Sequence, residues 1–440
     1  MNSDRLTAIK KFALHALLIF SALRIADVVN VVAGMWFVPK YVSSEDIGAV
    51  LPLSSFATFL SLPLFAFAMT AMKESAVLSA AGEKGRLKSL LSGVFLAAGA
   101  AVVLGLLAAA FLMSRFMDLI GLRGGGVGFA VVAAAFLGCV APVYTDALQA
   151  TKRFKALGMI EIGASAVRFA VMAALMPIKA LLGYFSGQAA QPISRIFFSL
   201  FALRKELKVK SESYWNKGNF KRFAALFSLI LVYQAVPMAV ALLEQYVIRT
   251  SMSAQDSAGY YMASRFSDFL FYLTFPLLIV SFPYTALAKD GSSRMKYVLT
   301  CSAITLSVAF SAAVIYAFFG PGLIGMLPNG VKYLEYSSLM PHLVIITALT
   351  SVQVFATNAE VSAGNFGFLK WFIPLHLVYI SAFIVFVQFG GIKNLTDILV
   401  WLWVIAVARI LCAYARNIRV IARDLLGISR GGARRGERDC

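Results

Sequence analysis

The stretch SALRIADVVNVV, residues 21–32, combines a membrane-spanning pattern with polar side chains. It lies inside an apolar run over residues 12–36, long enough as a helix to cross a hydrocarbon core roughly 30 Å thick. Arg24, Asp27 and Asn30 interrupt this run at a spacing of three and therefore share one helical face. A charged side chain in mid-membrane costs roughly 2.5–3.5 kcal/mol, so we expect this face to contact protein or water rather than lipid.

The composition extends the same conclusion to the whole chain. Of the 440 residues, 60% are hydrophobic and only 14% are charged, and the mean hydropathy is +0.80. A soluble domain of this length would need many more charged residues on its surface. We predict an all-α polytopic membrane protein. Its net charge of +19 is better explained by basic cytoplasmic loops than by nucleic-acid binding.

Apolar runs of helical length recur along the chain and set the predicted topology. Lys and Arg favour one set of loops by about four to one, which predicts that the N- and C-termini are both cytoplasmic. Proline removes a backbone hydrogen bond and marks where a helix can bend, which applies to Pro52 and Pro63 in helix 2, Pro192 in helix 6, Pro237 in helix 7, and Pro276 and Pro283 in helix 8. We predict about twelve transmembrane helices, over residues 12–36, 46–72, 88–113, 125–150, 157–177, 180–203, 223–248, 258–286, 297–319, 341–362, 368–389 and 395–415.

The longest cytoplasmic segment, RKELKVKSESYWNKGNFKRF (204–223), is basic and polar and falls near the middle of the chain. It predicts a linker between two pseudo-symmetric halves, a division typical of transporters. The predicted domains are an N-terminal six-helix bundle (1–203), the linker (204–222), a C-terminal six-helix bundle (223–415) and a basic cytoplasmic tail (416–440).

A short internal similarity supports this division. SSEDIGAVLPLSSF (43–56) precedes and opens helix 2, and SAQDSAGYYMASRF (253–266) does the same at helix 8. Both read Ser-x-x-Asp followed by Gly. Asp46 and Asp256 are predicted to be the N-caps, accepting hydrogen bonds from free backbone N–H groups.

Polar residues align on one face of several predicted helices. In helices 1 and 8 the pattern Arg-x-x-Asp places an arginine and an aspartate where the two side chains can pair. The alternative is that such groups only bond helix to helix. Helices 3, 9 and 11 carry almost no polar face and are expected near lipid. The aligned sets are Tyr261, Arg265, Asp268 and Tyr272 in helix 8; Glu161, Ser165 and Arg168 in helix 5; and Tyr184, Gln188, Gln191, Arg195 and Ser199 in helix 6.

Two charged residues near the predicted inner surface have simpler explanations. Glu161 lies close to the inner end of helix 5, so its sequence position fits an interfacial role as well as a cavity role. Arg409 is interpreted as snorkelling toward the inner surface beside Arg416 and Arg419.

Several motifs that would indicate ATP hydrolysis, metal binding or catalysis are missing from the sequence. It has no G-x-x-x-x-G-K-[ST] phosphate-binding loop for ATP hydrolysis. Its four cysteines are scattered, so neither a disulfide framework nor a metal site is predicted, and no cofactor is expected. No outer loop is long enough for a catalytic domain, which argues against an enzyme. The cysteines are Cys139, Cys301, Cys412 and Cys440.

Three segments resemble the polysaccharide (O-antigen and exopolysaccharide) flippases of the multidrug/oligosaccharidyl-lipid/polysaccharide (MOP) exporter superfamily. The resemblance runs through nearly the whole chain, with its twelve predicted spans and two halves. The segments are FVPKYVSSEDIGAVLPLSSF (37–56), YTDALQATKRFKALGMIEI (144–162) and DSAGYYMASRFSDFLFYLTFPL (256–277).

The resemblance implies a MATE-like, V-shaped pair of six-helix bundles in a bacterial cytoplasmic (inner) membrane. It implies a flippase that moves an undecaprenyl-diphosphate-linked oligosaccharide to the outer leaflet by alternating access, next to glycan polymerase machinery. A cationic cavity would receive the pyrophosphate, with Arg24 and Arg265 on the matching helices. The expected cavity residues are the head-group ligands Arg24, Arg168, Arg195 and Arg265; the neighbouring Asp27, Asn30, Gln191 and Asp268; and Tyr261 and Tyr272, available to stack on sugars.

Other functions stay open at the level of sequence. An ion-coupled drug or metabolite exporter of the same fold would use Asp27 or Glu244 as the acid that couples transport to Na+ or H+. A membrane enzyme of glycan assembly is a third hypothesis. A major-facilitator transporter shares the layout of two six-helix halves, but its loop motif between helices 2 and 3 is not evident.

Overall fold

The computed structural model describes residues 21, 24–29, 31–122, 125–150, 153–204, 208, 210–287, 291–362 and 364–425. Within these residues all regular secondary structure is helical, and the helices follow the order of the predicted spans. They are α1 (24–29 and 31–41), α2 (Val50–Leu60 and Leu62–Ala80), α3 (Lys84–Leu119), α4 (Gly125–Ala150), α5 (Phe154–Leu175), α6 (Ala180–Leu203), α7 (Lys217–Ser251), α8 (Ala254–Leu287), α9 (Gly291–Gly325), α10 (Met340–Ser362), α11 (Leu369–Gln388) and α12 (Leu395–Leu425).

Eight of the described helices are long and apolar enough to cross a membrane, or nine when the two segments of α2 count as one span. α6 is not among them, because Gln188, Gln191 and Arg195 lower its hydropathy. α3, α9 and α11, which are predicted to lie near lipid, each carry large apolar side chains that are exposed. Examples are Leu96 and Leu107 on α3, Phe310 and Phe318 on α9, and Trp371 and Val378 on α11.

The predicted bend of α2 is confirmed. The segments Ser44–Leu60 and Leu62–Ser75 meet at an angle of 58°. Ser61 stands at the break, and Pro63 follows in the first turn of the second segment, where its missing N–H costs no helical hydrogen bond. The buried Ser61 hydroxyl bonds back to the Thr58 carbonyl oxygen and contacts Cys139 Sγ at 3.2 Å, which fixes the bend against α4.

The two Ser-x-x-Asp motifs begin helical segments, but the capping residues are the serines. Ser43 Oγ accepts a hydrogen bond from the Asp46 backbone N–H at 3.1 Å. Ser253 Oγ likewise accepts from the Asp256 N–H at 3.0 Å, and Asp256 Oδ2 accepts from the Ser253 backbone N–H at 3.3 Å in return. The prediction that the aspartates are N-caps was therefore wrong by three positions. The motif at α8 is a reciprocal capping box with Asp in the third position.

The described chain divides into two compact units. The first takes the chain up to Arg265 together with Phe319–Leu339 and Ile384–Ile398; the second takes Phe266–Phe318, Met340–Phe383 and the chain from Leu399. These units are defined by spatial contacts and do not test the predicted division at the linker. The two sequence halves stay a prediction.

In the first unit, α4 and α5 both pack along α6, while α2 and α3 pack against α4. Small residues on α6 permit the close approach to α5. A Cβ added at Gly183 would come within 2.5 Å of the Met176 backbone nitrogen, and one at Gly187 within 2.2 Å of Met172 Cγ. α7 packs along both segments of α2, so this unit contains helices from both predicted halves.

The predicted linker docks onto the first unit through its C-terminal part. The Tyr214 backbone N–H donates to Ser89 Oγ at 3.2 Å on α3, and Glu212 N–H donates to the Gly85 carbonyl oxygen at 3.1 Å. The Trp215 indole packs edge-on against Phe223 of α7 and would meet a Cβ at Gly93 at 2.4 Å. Residues 212–215 are therefore part of the packed structure rather than a free tether.

Two apolar clusters lie in the described part of the second unit. Leu270, Ala309, Val344 and Ala348 join α8, α9 and α10. A second cluster joins α9 and α10 around Val298, Phe355, Ala356 and Ala359.

Arg409 lies buried between α11 and α12 and does not snorkel. It is 9% exposed, and its Nε–H donates to Nε2 of the fully buried His376 at 3.0 Å. Because Nε2 accepts, the imidazole proton must sit on Nδ1, which lies 2.7 Å from the Phe372 carbonyl oxygen. The snorkelling interpretation was wrong, because a histidine acceptor on α11 faces this arginine. No sequence spacing relates two residues on different helices, so this contact could not be predicted.

Candidate substrate-binding site

The pairing predicted within α1 is confirmed. Arg24 Nη2 lies 2.9 Å from Asp27 Oδ2, and about a fifth of each side chain is exposed. A spacing of three on a helix brings the two groups onto one face, as the sequence indicated. Asn30, the third predicted residue of this face, lies outside the described residues.

A second ion pair joins α5 to α6. Arg195 Nη2 lies 2.5 Å from Glu161 Oε2. The carboxylate is the more buried partner: 10% of the Glu161 side chain is exposed, against 28% of the Arg195 side chain. The sequence placed Glu161 on the polar face of helix 5 but left its role open. The only available signal was that face, because a contact between two helices has no fixed sequence spacing.

Next to this pair a second set of hydrogen bonds, which begins at Arg168, crosses the same interface. Arg168 Nη1 donates to Gln191 Oε1 at 3.4 Å, and Gln191 Nε2 donates to Ser165 Oγ at 3.1 Å. All three side chains are buried. Gln191 thus turns its carbonyl toward the cation and its amide toward the hydroxyl, which fixes the direction of both bonds.

α1 also packs against α5, where the Phe37 and Phe169 rings meet edge to face with their centres 5.2 Å apart. The Arg24–Asp27 pair and the Arg195–Glu161 pair therefore lie on neighbouring helices of the same compact unit. Arg168, two turns from Glu161 on α5, adds a further positive charge on the same helix.

The opening turns of α8 bring another arginine against α1. Tyr261 is fully buried, and its hydroxyl donates to the Gly34 carbonyl oxygen at 3.3 Å. The Arg265 guanidinium lies 4.9 Å from the centre of the Tyr261 ring, and a Cβ at Gly34 would meet Arg265 Cδ at 3.8 Å. Gly34 belongs to a π-helical turn, Ala33–Phe37, a distortion that often marks functional sites.

Asp268, Tyr272 and Glu244 are the remaining predicted residues. Asp268 and Tyr272 belong to the second unit, where both are half-buried and the Tyr272 ring contacts Phe271. Glu244 is buried on α7. Their roles in binding or ion coupling stay predictions.

The described site residues are rich in guanidinium groups. Four arginines lie on α1, α5, α6 and α8, and the carboxylates of Asp27 and Glu161 pair with two of them. Within the described part of the chain there is no group of three His, Cys, Asp or Glu residues that could hold a metal ion. The guanidinium groups offer charged hydrogen bonds, which suit phosphate and carboxylate groups.

Comparison with known proteins identifies the fold. No protein-family model matches the sequence, and no curated protein matches it. Among solved structures, an inward-facing multidrug resistance MATE transporter of the MOP superfamily aligns with a TM-score of 0.66 at 14% identity, over 94% of this chain and 100% of its own. A mutant of the Vibrio cholerae MATE transporter VcmN aligns with a TM-score of 0.63 at 13% identity, over 98% and 99% of the two chains.

A third neighbour is a MOP superfamily transporter from Pyrococcus furiosus, for which reverse polarity of the binding pocket suggests a different function. It aligns with a TM-score of 0.65 at 13% identity, over 94% of this chain and 96% of its own. This chain therefore has the fold of the MATE transporters, with twelve transmembrane helices in two bundles, and is a multi-pass membrane protein. At these identities the likeness establishes the fold, and the substrate must be argued from the site.

Proposed function

We propose that this protein is a flippase that moves an undecaprenyl-diphosphate-linked oligosaccharide from the cytoplasmic to the outer leaflet of a bacterial inner membrane. The observation that carries the proposal is the set of four arginines on α1, α5, α6 and α8 of one compact unit. Buried or half-buried arginines in membrane helices are costly, so a site that collects them has a use for positive charge.

The charge excess favours an anionic cargo. Arg24, Arg168, Arg195 and Arg265 outnumber the carboxylates predicted beside them, those of Asp27, Glu161 and Asp268, by one. A pyrophosphate head group can accept paired hydrogen bonds from guanidinium groups, and these bonds are strong where water is scarce. A cationic drug would instead be repelled by the same excess. The P. furiosus transporter supports the use of pocket polarity as a guide to function within this fold.

Tyr261 supports a site for a polar head group rather than for a hydrocarbon tail. Its ring holds the Arg265 guanidinium by a cation–π contact while its hydroxyl is anchored to α1. This arrangement restricts the arginine to one direction before any ligand arrives. A pre-positioned cation loses less conformational entropy on binding.

The fold neighbours are transporters, which favours transport over a membrane enzyme of glycan assembly. An ion-coupled drug or metabolite exporter is the second candidate, and the buried acid Glu244 on α7 is the observation that favours it. That function predicts efflux of organic cations from vesicles that is reduced by Glu244→Gln. The flippase proposal predicts no such efflux.

The deciding experiment reconstitutes the full chain in vesicles and follows a fluorescent undecaprenyl-diphosphate oligosaccharide between leaflets. We expect Arg24→Ala and Arg265→Ala each to reduce the rate at least tenfold at unchanged protein level. Arg86→Ala removes a surface arginine that pairs with Glu83 at 2.9 Å and serves as the control with an unchanged rate. Wild-type rates in both cavity variants would refute the assignment of these arginines.

A further inference from the structure

An apolar groove of about 450 Å³ runs along α3 within the first unit. Its wall consists of side chains from α2, α3, α4 and α7, and every lining residue of the described chain is apolar. The Phe136 ring of α4 closes the groove behind Gly105, where an added Cβ would come within 2.4 Å of the ring. The lining residues on α3 are mostly small and share one helical face: Ala97, Ala101, Gly105 and Ala108.

The groove opens sideways onto the exposed apolar surface of α3. Leu104 and Leu107, on the same helix, are 70% and 72% exposed. On a membrane-spanning helix such a surface contacts the hydrocarbon chains of lipid. The lining positions from Ala97 to Leu112 extend roughly 22 Å at 1.5 Å per residue. One leaflet contributes half of a hydrocarbon core roughly 30 Å thick, so the groove can take a single acyl chain over its whole length.

Aromatic side chains mark the end of the groove that the charge bias predicts to be cytoplasmic. Phe67 of α2 lines the groove there, and its ring centre lies 5.4 Å from that of Phe223. Phe223 in turn lies 5.4 Å from the Trp215 indole, which packs at Gly93, one turn before Ala97 on α3. Tryptophan favours the boundary between hydrocarbon and head groups. The groove therefore ends where a phospholipid changes from chain to head group.

An accessible arginine lies just beyond this aromatic end. Glu74 is two turns from Phe67 on the same face of α2, roughly 10 Å along the helix, and Arg222 of α7 bonds to its carboxylate. The Arg222 side chain is 58% exposed, whereas that of Glu74 is 5% exposed. The surrounding charge is positive, since residues 73–88 and 210–222 contain eight Lys or Arg and three Asp or Glu. An anion can therefore approach Arg222 from solvent.

We propose that the groove and Arg222 form a binding site for one anionic phospholipid of the cytoplasmic leaflet. One acyl chain lies in the groove, and the phosphate accepts hydrogen bonds from the Arg222 guanidinium. The excess of basic residues favours an anionic head group over a zwitterionic one. An acyl chain matches the length of the groove, whereas a polyprenyl chain is much longer. The site uses none of the four arginines proposed to bind cargo and does not depend on the proposed function.

The test measures lipid binding to the purified full-length protein by native mass spectrometry. The probes are phosphatidylglycerol and phosphatidylcholine with the same two acyl chains, and we expect one phosphatidylglycerol to bind at least fivefold more tightly. Ala101→Phe fills the groove and should weaken phosphatidylglycerol binding at least fivefold, and Ala108→Phe, two turns farther along α3, should do the same. Ala100→Phe adds the same ring at an exposed position outside the groove and should leave binding unchanged.

A second pair of variants tests the head-group contact. Glu74→Gln removes the carboxylate charge that competes for Arg222, so phosphatidylglycerol affinity should rise about threefold. The double variant Glu74→Gln with Arg222→Gln removes the cation without leaving a buried charge, and should abolish the preference over phosphatidylcholine. A merely structural role of the Arg222–Glu74 pair would not move the two variants in opposite directions.

Three results would overturn the proposal. Equal phosphatidylglycerol affinities of Ala100→Phe and Ala101→Phe would exclude the groove, and equal preferences in the two Glu74 variants would exclude Arg222. Undecaprenyl phosphate is the competing probe. If it displaces phosphatidylglycerol from the wild type at a lower concentration than phosphatidylglycerol itself requires, and Ala101→Phe loses this effect, the groove takes an isoprenoid chain and the phospholipid assignment is wrong.

Discussion

The Tyr214 hydroxyl donates a 2.8 Å hydrogen bond to Glu74 Oε2, across a sequence separation of 140 residues. Arg222 of α7 bonds to the same carboxylate oxygen, and Asn219 Nδ2 donates to the Tyr214 carbonyl oxygen at 2.7 Å. Glu74 is buried on α2, so this contact joins the linker, the start of α7 and the inner segment of α2. The linker is thus held against α2 and α7 through the hydrogen bonds of Tyr214.

Tyr214→Phe should weaken this junction. It removes one hydrogen bond to a charged group, which is worth about 1.5–3 kcal/mol, while Arg222 still neutralises Glu74. The measurement is the thermal unfolding midpoint of the purified protein in detergent. Ser213→Ala is the control, because it removes the exposed hydroxyl of the neighbouring residue and surface changes of this kind are usually within about 0.5 kcal/mol. Equal unfolding midpoints for both variants would show that the Tyr214–Glu74 hydrogen bond does not stabilise the protein.

The same tyrosine predicts a dependence on alkaline pH. Burial, with the hydrogen bond and charge of Glu74, raises the pKa of Tyr214 from 10.0 to about 12. The folded protein then keeps a proton that the unfolded chain releases above pH 10, so stability present below pH 10 is lost as the pH rises toward 12. Unfolding midpoints between pH 9 and 12 should fall more steeply for wild type than for Tyr214→Phe. Parallel curves would exclude this contribution.

A pair of glycine substitutions tests the packing of α6 on the end of α5. Gly183→Ala would place Cβ 2.5 Å from the Met176 backbone nitrogen, and backbone cannot move aside cheaply. We expect a loss of about 1–3 kcal/mol, as for other overpacked sites. Gly138→Ala is the control, because its Cβ meets nothing within 4 Å and alanine favours a helix by about 1 kcal/mol. Thermal unfolding should move in opposite directions for the two variants.

Two substitutions of Tyr261 separate the contribution of its ring to pyrophosphate binding from that of its hydroxyl. Tyr261→Phe loses the bond to the Gly34 carbonyl but keeps the ring that faces the Arg265 guanidinium, so pyrophosphate affinity should fall less than threefold. Tyr261→Leu also loses the cation–π contact, worth about 0.5–2 kcal/mol, and should bind pyrophosphate several-fold more weakly. Titration of the purified protein in lipid nanodiscs with sodium pyrophosphate measures both affinities. Equal affinities in the two variants would show that the ring does not hold Arg265 for binding.

His376 tests the buried pair in the second unit. His376→Leu removes the acceptor for Arg409 Nε–H and should destabilise the protein by about 1.5–3 kcal/mol, the usual contribution of a hydrogen bond to a charged group. His376→Gln keeps an acceptor and should cost clearly less. Folded yield and unfolding midpoint of both variants measure the difference. A leucine variant as stable as the glutamine variant would show that Arg409 does not depend on this bond.

Much of the site could be predicted where it depends on one helix. The Arg24–Asp27 pair follows from a spacing of three, and the polar faces of α5 and α6 follow from helical periodicity. Their partners across helices could not be read in the same way. Glu161 was an ambiguous acid near a helix end until the fold set it against Arg195.

The sequence by itself determined the membrane-spanning helices, their order and the bend in α2, because hydropathy, helical period and proline act locally along the chain. It also predicted which residues share the polar faces of α1, α5 and α6, because these faces follow from helical periodicity. Only the tertiary structure decided the partners: Glu161 for Arg195, Gln191 for Arg168, Tyr261 for Arg265, Glu74 for Tyr214 and His376 for Arg409. The reason is physical. These contacts depend on which helix faces meet and at what height, and packing over the whole chain sets both.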